Sequence, residues 1–132
     1  MHSRINHTDH IPIERSQAQI LLIHGCDDQA YHYRHALYLA DRIRKNGHDN
    51  YVVKLYPGAG HILCPPYIPL CRSAYNPFMG CPVVFGGDVR LHAVAQQSSW
   101  QDIIDILNQT FENNYIRIGR SDSLRHKLVS KI

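Results

Sequence analysis

The sequence predicts an α/β fold, and three segments carry that expectation. "AQILLIHG" over residues 18–25 is a short continuous apolar run, residues 30–46 repeat apolar side chains at helical spacing, and "YVVKLY" over 51–56 is β-branched and aromatic. Strand, helix and strand in succession make a βαβ unit, whose strands run parallel through a right-handed crossover.

The first run matches a strand buried on both faces of a parallel sheet, where apolar residues need not alternate with polar ones. In the helix, Ala36, Leu39, Ala40 and Ile43 fall at i, i+3, i+4 and i+7 and form one apolar stripe. Arg42, Arg44 and Lys45 crowd its C-terminal end, where cations suit the helix dipole, and Gly47 supplies a left-handed stop. From Pro57 to about Arg90 neither helix nor strand is expected. Six prolines (Pro57, Pro65, Pro66, Pro69, Pro77, Pro82) and Gly80, Gly86 and Gly87 interrupt it. A loop of that length inside a compact domain is usually functional. A last helix is expected over residues 91–111, packing Trp100, Ile103, Ile104, Leu107 and Phe111 into the core. Residues 1–10 read as a polar N-terminal extension, 11–112 as the domain, and 113–132 as a polar, mobile tail.

Composition narrows the function classes. The chain has 132 residues, 44% hydrophobic and 19% charged, which suits a soluble globular domain. No apolar run approaches the roughly 20 residues that span a bilayer, so no membrane role is expected. The net charge is +3 with scattered basic residues, which argues against a nucleic-acid partner. Cys26, Cys64, Cys71 and Cys81 contain no C-x-x-C pair, and His24, Cys26 and Asp28 alternate without a second cluster, so no metal is expected.

The chemistry-bearing residues stand after the two strands. In open α/β sheets functional groups sit on loops at the carboxyl ends of strands. "HGCDD" places Asp27 and Asp28 there after the first, and "YPGAGH" places His61 there after the second. A carboxylate that accepts the Nδ1 proton of an imidazole fixes its tautomer and stabilises the imidazolium formed in catalysis. Either aspartate could do this, with the other serving as a helix cap.

Three longer strings resemble a known family: "IPIERSQAQILLIHGCDD", "YPGAGHILCPPYIPLC" and "FGGDVRLHAVAQQSSW". Across residues 11–111 the chain resembles the C-terminal part of the acyl-CoA thioesterases related to bile acid-CoA:amino acid N-acyltransferase. The resemblance implies the C-terminal portion of an α/β-hydrolase fold, with the sheet incomplete in this chain. It implies a triad whose aspartate falls on Asp28 and whose histidine falls on His61. The implied partner is an acyl-CoA thioester, with coenzyme A as part of the substrate and no separate cofactor. One departure is Cys64, where family members tend to carry Glu before the double proline.

The family's nucleophile, a serine or a cysteine, lies in a G-x-[SC]-x-G elbow upstream of both other members. No such elbow occurs here, and Cys26 and Cys64 lack the setting of a nucleophile. The expectation is therefore a C-terminal catalytic segment that supplies acid and base and is inactive alone. An N-acyltransferase segment is the near variant. The rival from another class is a non-catalytic module that associates through an exposed sheet edge. The tripeptide Ser130-Lys131-Ile132 is similar to the peroxisomal address S-K-L, which favours the peroxisome over the cytoplasm. A fluorescent protein carrying residues 121–132 at its C-terminus is expected to concentrate in peroxisomes, and a diffuse signal would refute the address.

Overall fold

The computed structural model describes the backbone of residues 11–129 apart from residue 64, with side chains through residue 112. The tripeptide at 130–132 and the candidate thiol at 64 lie outside the described residues. The architecture is α/β. Strand β1 (Ile20–Gly25) and strand β2 (Tyr51–Tyr56) pair in parallel, with Ile20 opposite Tyr51 and Gly25 opposite Tyr56. Backbone bonds from Ile20 N–H to Asn50 O and from Cys26 N–H to Tyr56 O extend the ladder at both ends. Residues 20 to 24 are only half-buried, where burial on both faces was expected. The cause is the small sheet: β1 has β2 as its sole strand neighbour among the described residues.

Helix α1 (Arg34–Lys45) connects them. It starts four residues later than the periodicity suggested, because residues 28–33 form a turn held by side chains of Asp28 and His32. Its apolar stripe packs as the spacing requires, with Ala36, Ala40 and Ile43 buried. Gly47 ends it with φ +81°, its N–H bonded to Arg44 O while His48 N–H reaches Ile43 O.

Two expectations need correction. The Pro/Gly-rich stretch contains an antiparallel hairpin, β3 (Ser73–Asn76) with β4 (Cys81–Val84). It escapes pattern reading because the strands are short, mostly exposed and interrupted by Pro82. Turn chemistry makes it: Asn76 Oδ1 accepts the Phe78 and Met79 N–H groups, and Gly80 closes the turn at φ +65°. The last helix, α2 (Val89–Val129), starts two residues early and continues through the segment read as a tail. Asp88 caps it, accepting the Arg90 and Leu91 N–H groups. Its buried face is also different, formed by His92, Ala95, Gln96 and Ser99, whereas Trp100, Leu107 and Phe111 are exposed. Packing selected the face with small and hydrogen-bonding residues, which lets the helix lie close to the loop after β2.

That loop is the core of the unit. Ala59, Leu63 and Ala95 form a buried cluster with Ile23 and Tyr56 against it. Tyr56 also donates its hydroxyl to Asp102 of α2, and Lys54 Nζ lies 3.0 Å from the same carboxylate. The Tyr56 bond, helped by Lys54, holds the Asp102 carboxyl below its usual range. Burial first, then the bond to Asp102, pushes the Tyr56 phenol up. Such a charge-assisted bond is worth about 1.5–3 kcal/mol when buried and less at this partly exposed position.

Gly25 marks a close approach of backbone to backbone. A Cβ there would stand 2.3 Å from the Ala59 carbonyl oxygen and 2.5 Å from that of Gly60. Gly80, by contrast, has positive φ but open space around it. Gly80→Ala is therefore expected to cost only the left-handed penalty, about 1–2 kcal/mol. Gly25→Ala must displace backbone and should cost ~3 kcal/mol or more, read as a difference in urea midpoints. Equal costs would contradict the packing described.

Candidate active site: an acid–base pair at the sheet edge

Three loops meet beyond the carboxyl ends of β1 and β2. The loop after β1 gives its Asp27 N–H to Ala59 O (2.8 Å), and Gln29 N–H reaches Phe85 O (3.5 Å). The loop after β2 sends His61 N–H to the same Phe85 oxygen at 2.9 Å. The segment between β4 and α2 returns Asp88 N–H to Gly58 O and forms an isolated bridge from Gly86 to Asp28. Close approach explains the glycines: Gly86 has φ +71°, and a Cβ on it would lie 2.0 Å from Asp27 O.

Within this knot Asp28 and His61 are in contact. The His61 Nδ1 lies 2.9 Å from Asp28 Oδ2. The carboxylate side chain is 3% exposed and the imidazole 35%. Burying a carboxylate is costly unless its oxygens are satisfied, and both are. Oδ1 accepts the N–H groups of Ala30 and Tyr31, each at 2.8 Å, so Asp28 also makes the turn that precedes α1. Neither aspartate caps α1, whose N-cap residue makes no side-chain capping bond; Asp28 gives one oxygen to the turn at 28–31 and the other to the His61 contact. Asp27 instead accepts Gly87 N–H at 2.8 Å and ties two of the loops together.

An ionised carboxylate only accepts, so the Nδ1–H of His61 faces Asp28 and Nε2 carries the lone pair. Nε2 has no hydrogen-bond partner among the described residues. Phe85 stacks on the ring at 5.3 Å between centroids, and Tyr31 lies tilted beside it at 5.6 Å. A fixed, half-exposed imidazole with a buried carboxylate behind it can accept a proton at Nε2 and return it.

Three supporting residues were not singled out from the sequence. Phe85 both stacks on His61 and receives its backbone N–H, and no local pattern marks it. His92, 2% exposed, accepts the Gly60 N–H at Nδ1 (3.1 Å) and so fastens α2 to the residue before the base. Its remaining nitrogen, Nε2, is buried with no partner among the described residues. His24 lies 3.1 Å from Asp28 Oδ2 through its Nε2. Its signal was the alternation of His24, Cys26 and Asp28, weighed only as a metal run. Among the described residues no cluster of His, Cys, Asp or Glu is arranged to hold a metal ion. No described serine or cysteine hydrogen-bonds to His61.

A cavity of about 560 Å³ is lined by His24, Asp28 and His61 together with Leu22, Leu39 and Ile103. Consecutive β1 residues Leu21, Leu22 and Ile23 all line it. Side chains alternate across a strand, so the cavity runs along the unpaired edge of β1 and not beneath one face alone.

Asp28→Asn is expected to invert the tautomer of His61. The Asn oxygen would keep the Ala30 and Tyr31 bonds, so its NH₂ group would face Nδ1, which must then accept. Imidazole ¹⁵N shifts above neutral pH should move from the Nδ1–H pattern to Nε2–H; an unchanged pattern would show that Asp28 does not set the ring's proton.

Comparison with known proteins assigns the lineage. The family model described as "BAAT / Acyl-CoA thioester hydrolase C terminal" matches residues 1–113. Acyl-coenzyme A amino acid N-acyltransferase 1 of Mus musculus is 43% identical over 94 residues, 70% of this chain and 23% of its own. Acyl-coenzyme A amino acid N-acyltransferase 2 of Mus musculus is 39% identical over 104 residues, 78% of this chain and 25% of its own. Acyl-coenzyme A thioesterase 3 of Mus musculus is 35% identical over 119 residues, 89% of this chain and 26% of its own. The chain therefore spans about a quarter of the length of these curated relatives. It belongs to the BAAT / acyl-CoA thioester hydrolase C-terminal family.

Proposed function

We propose that this chain is the C-terminal catalytic segment of an acyl-CoA thioesterase with an α/β-hydrolase fold, supplying Asp28 as orienting acid and His61 as general base. The observation that carries the reading is the 2.9 Å contact between His61 Nδ1 and a buried Asp28 carboxylate, which leaves Nε2 for proton transfer. The nucleophile and the oxyanion donors come from sequence outside this chain, seated along the unpaired edge of β1, where the cavity lies. That edge is the surface through which the segment associates.

In the assembled site Nε2 of His61 removes the proton of the nucleophile's hydroxyl or thiol as it attacks the thioester carbonyl. The C–S bond breaks, and the coenzyme A sulfur takes the proton from Nε2 as it leaves. Nε2 next takes a proton from water, whose oxygen attacks the acyl-enzyme. The same proton returns to the nucleophile as the fatty acid departs. Asp28 stabilises the imidazolium in each half of the cycle.

A second reading, amino acid N-acyltransfer, is favoured by one observation. Two of the relatives described above carry that name and reach 39% and 43% identity, against 35% for the thioesterase. The acid–base pair serves both reactions, which differ in whether water or an amine attacks the acyl-enzyme.

A chimaera separates these possibilities. Residues 11–111 replace the matching segment of mouse acyl-coenzyme A thioesterase 3, and thiol release from a long-chain acyl-CoA is followed with and without glycine. The chimaera is expected to hydrolyse the thioester and His61→Ala to lose about 10²–10⁴-fold, while the 132-residue chain alone releases no thiol. A folded but inactive chimaera would refute the catalytic reading, and a glycine conjugate would favour acyl transfer.

A further inference from the structure

The carboxylate oxygen that holds the base has a second imidazole on it. His24, near the end of β1, is 16% exposed, and its Nε2 lies 3.1 Å from Asp28 Oδ2. The same nitrogen is 2.8 Å from the carbonyl oxygen of Tyr31. A carbonyl oxygen can only accept, so the hydrogen of His24 sits on Nε2 whether the ring is neutral or cationic. At Nε2 this removes two other roles: with that hydrogen in place, this nitrogen offers no lone pair to a metal or to a reacting proton.

What remains is donation. Toward Tyr31 the bond spans seven residues and closes the turn that Asp28 Oδ1 makes from the other side. The Tyr31 ring in turn meets that of His61 at a tilt, 5.6 Å between centroids, so the anchor bears on the base through a second contact. Toward Asp28, the Nε2–H dipole sits beside the one oxygen that His61 also uses. The other polar groups near this oxygen do not compete for it: Asp27 is engaged with Gly87 N–H, and the Ala30 and Tyr31 amides bind Oδ1. His35 also lines the cavity on the α1 side.

The geometry points to His24 as a positioning residue that holds the 28–31 turn against His61 and shares the Oδ2 charge with the base. This rests on Asp28 and His61 acting as the acid–base pair. A carboxylate oxygen with two donors near it gives less of its acceptor strength to each than an oxygen with one. His24 thus tempers the grip of Asp28 on His61, a setting that a carboxylate with a single imidazole would lack.

The test reads the hydrogen between Asp28 and His61 directly. In the full chain, labelled with ¹⁵N, the His61 Nδ1–H proton is observed at low temperature in wild type, His24→Leu, His24→Gln and Asp28→Asn. The expected result is a downfield wild-type resonance that moves further downfield in His24→Leu, where Oδ2 serves His61 alone. It returns toward the wild-type position in His24→Gln, whose amide can donate again, and it disappears in Asp28→Asn. A wild-type resonance that neither His24 variant moves would overturn the role of His24 and leave the Asp28–His61 pair intact. Absence of the downfield resonance in wild type would overturn both. Chemical-shift dispersion of the remaining amides reports folding in each variant, and His24→Phe, which removes the donor but keeps a ring, takes the place of His24→Leu if that variant does not fold: an unmoved resonance there overturns the role of His24.

Discussion

Everything at this site depends on backbone approaching backbone where no side chain fits. The end of β1 meets the loop after β2 at Gly25, and that loop meets the β4–α2 segment at Gly60 and Gly86, each with carbonyl groups where a Cβ would stand. Glycine is needed for space at Gly25 and Gly60, and for both space and positive φ at Gly86. The close contact allows short backbone bonds from Asp27 to Ala59 and from His61 to Phe85. These bonds, and not the sheet alone, set the distance between Asp28 and His61.

The second constraint is electrostatic. Asp28 is nearly inaccessible, and a buried carboxylate persists only when each oxygen is engaged. Two amides take one oxygen; two imidazoles adjoin the other. The local turn that satisfies Oδ1 also delays α1, so helix geometry and site geometry have one cause. One residue holds the turn and contacts His61, which is why the conservative Asn is more informative here than Ala.

The legible part of the fold is the part governed by period and composition. The run at 18–25, the stripe through Ala36, Ala40 and Ile43 and the β-branched strand at 51–56 each show in the structure as written in the chain. Gly47 ends α1 in the conformation its position suggested. The β3–β4 hairpin was not legible, because its strands owe their pairing to Asn76 and Gly80 and not to an apolar pattern. The orientation of α2 was not legible either. Its large apolar side chains suggested the buried face, yet the helix turns His92, Ala95, Gln96 and Ser99 inward. Hydrogen bonding to Gly60 and close approach to Ala59 outweigh apolar area when the neighbour is a loop with backbone groups to satisfy.

By itself the sequence determined the βαβ unit and its parallel sense, the placing of Asp27, Asp28 and His61 at one sheet edge, and the resemblance that singled out Asp28. Local spacing and chain connectivity suffice for these, since strand handedness and loop position follow from short-range geometry. Only the tertiary structure decided that Asp28 meets the 28–31 turn and His61 with separate oxygens, that Phe85 and His92 bond to the loop after β2, and that His24 lies against the same carboxylate. Those contacts link residues far apart in the chain or across a turn, and they depend on backbone approach at glycines closer than a Cβ would allow, which no periodicity encodes.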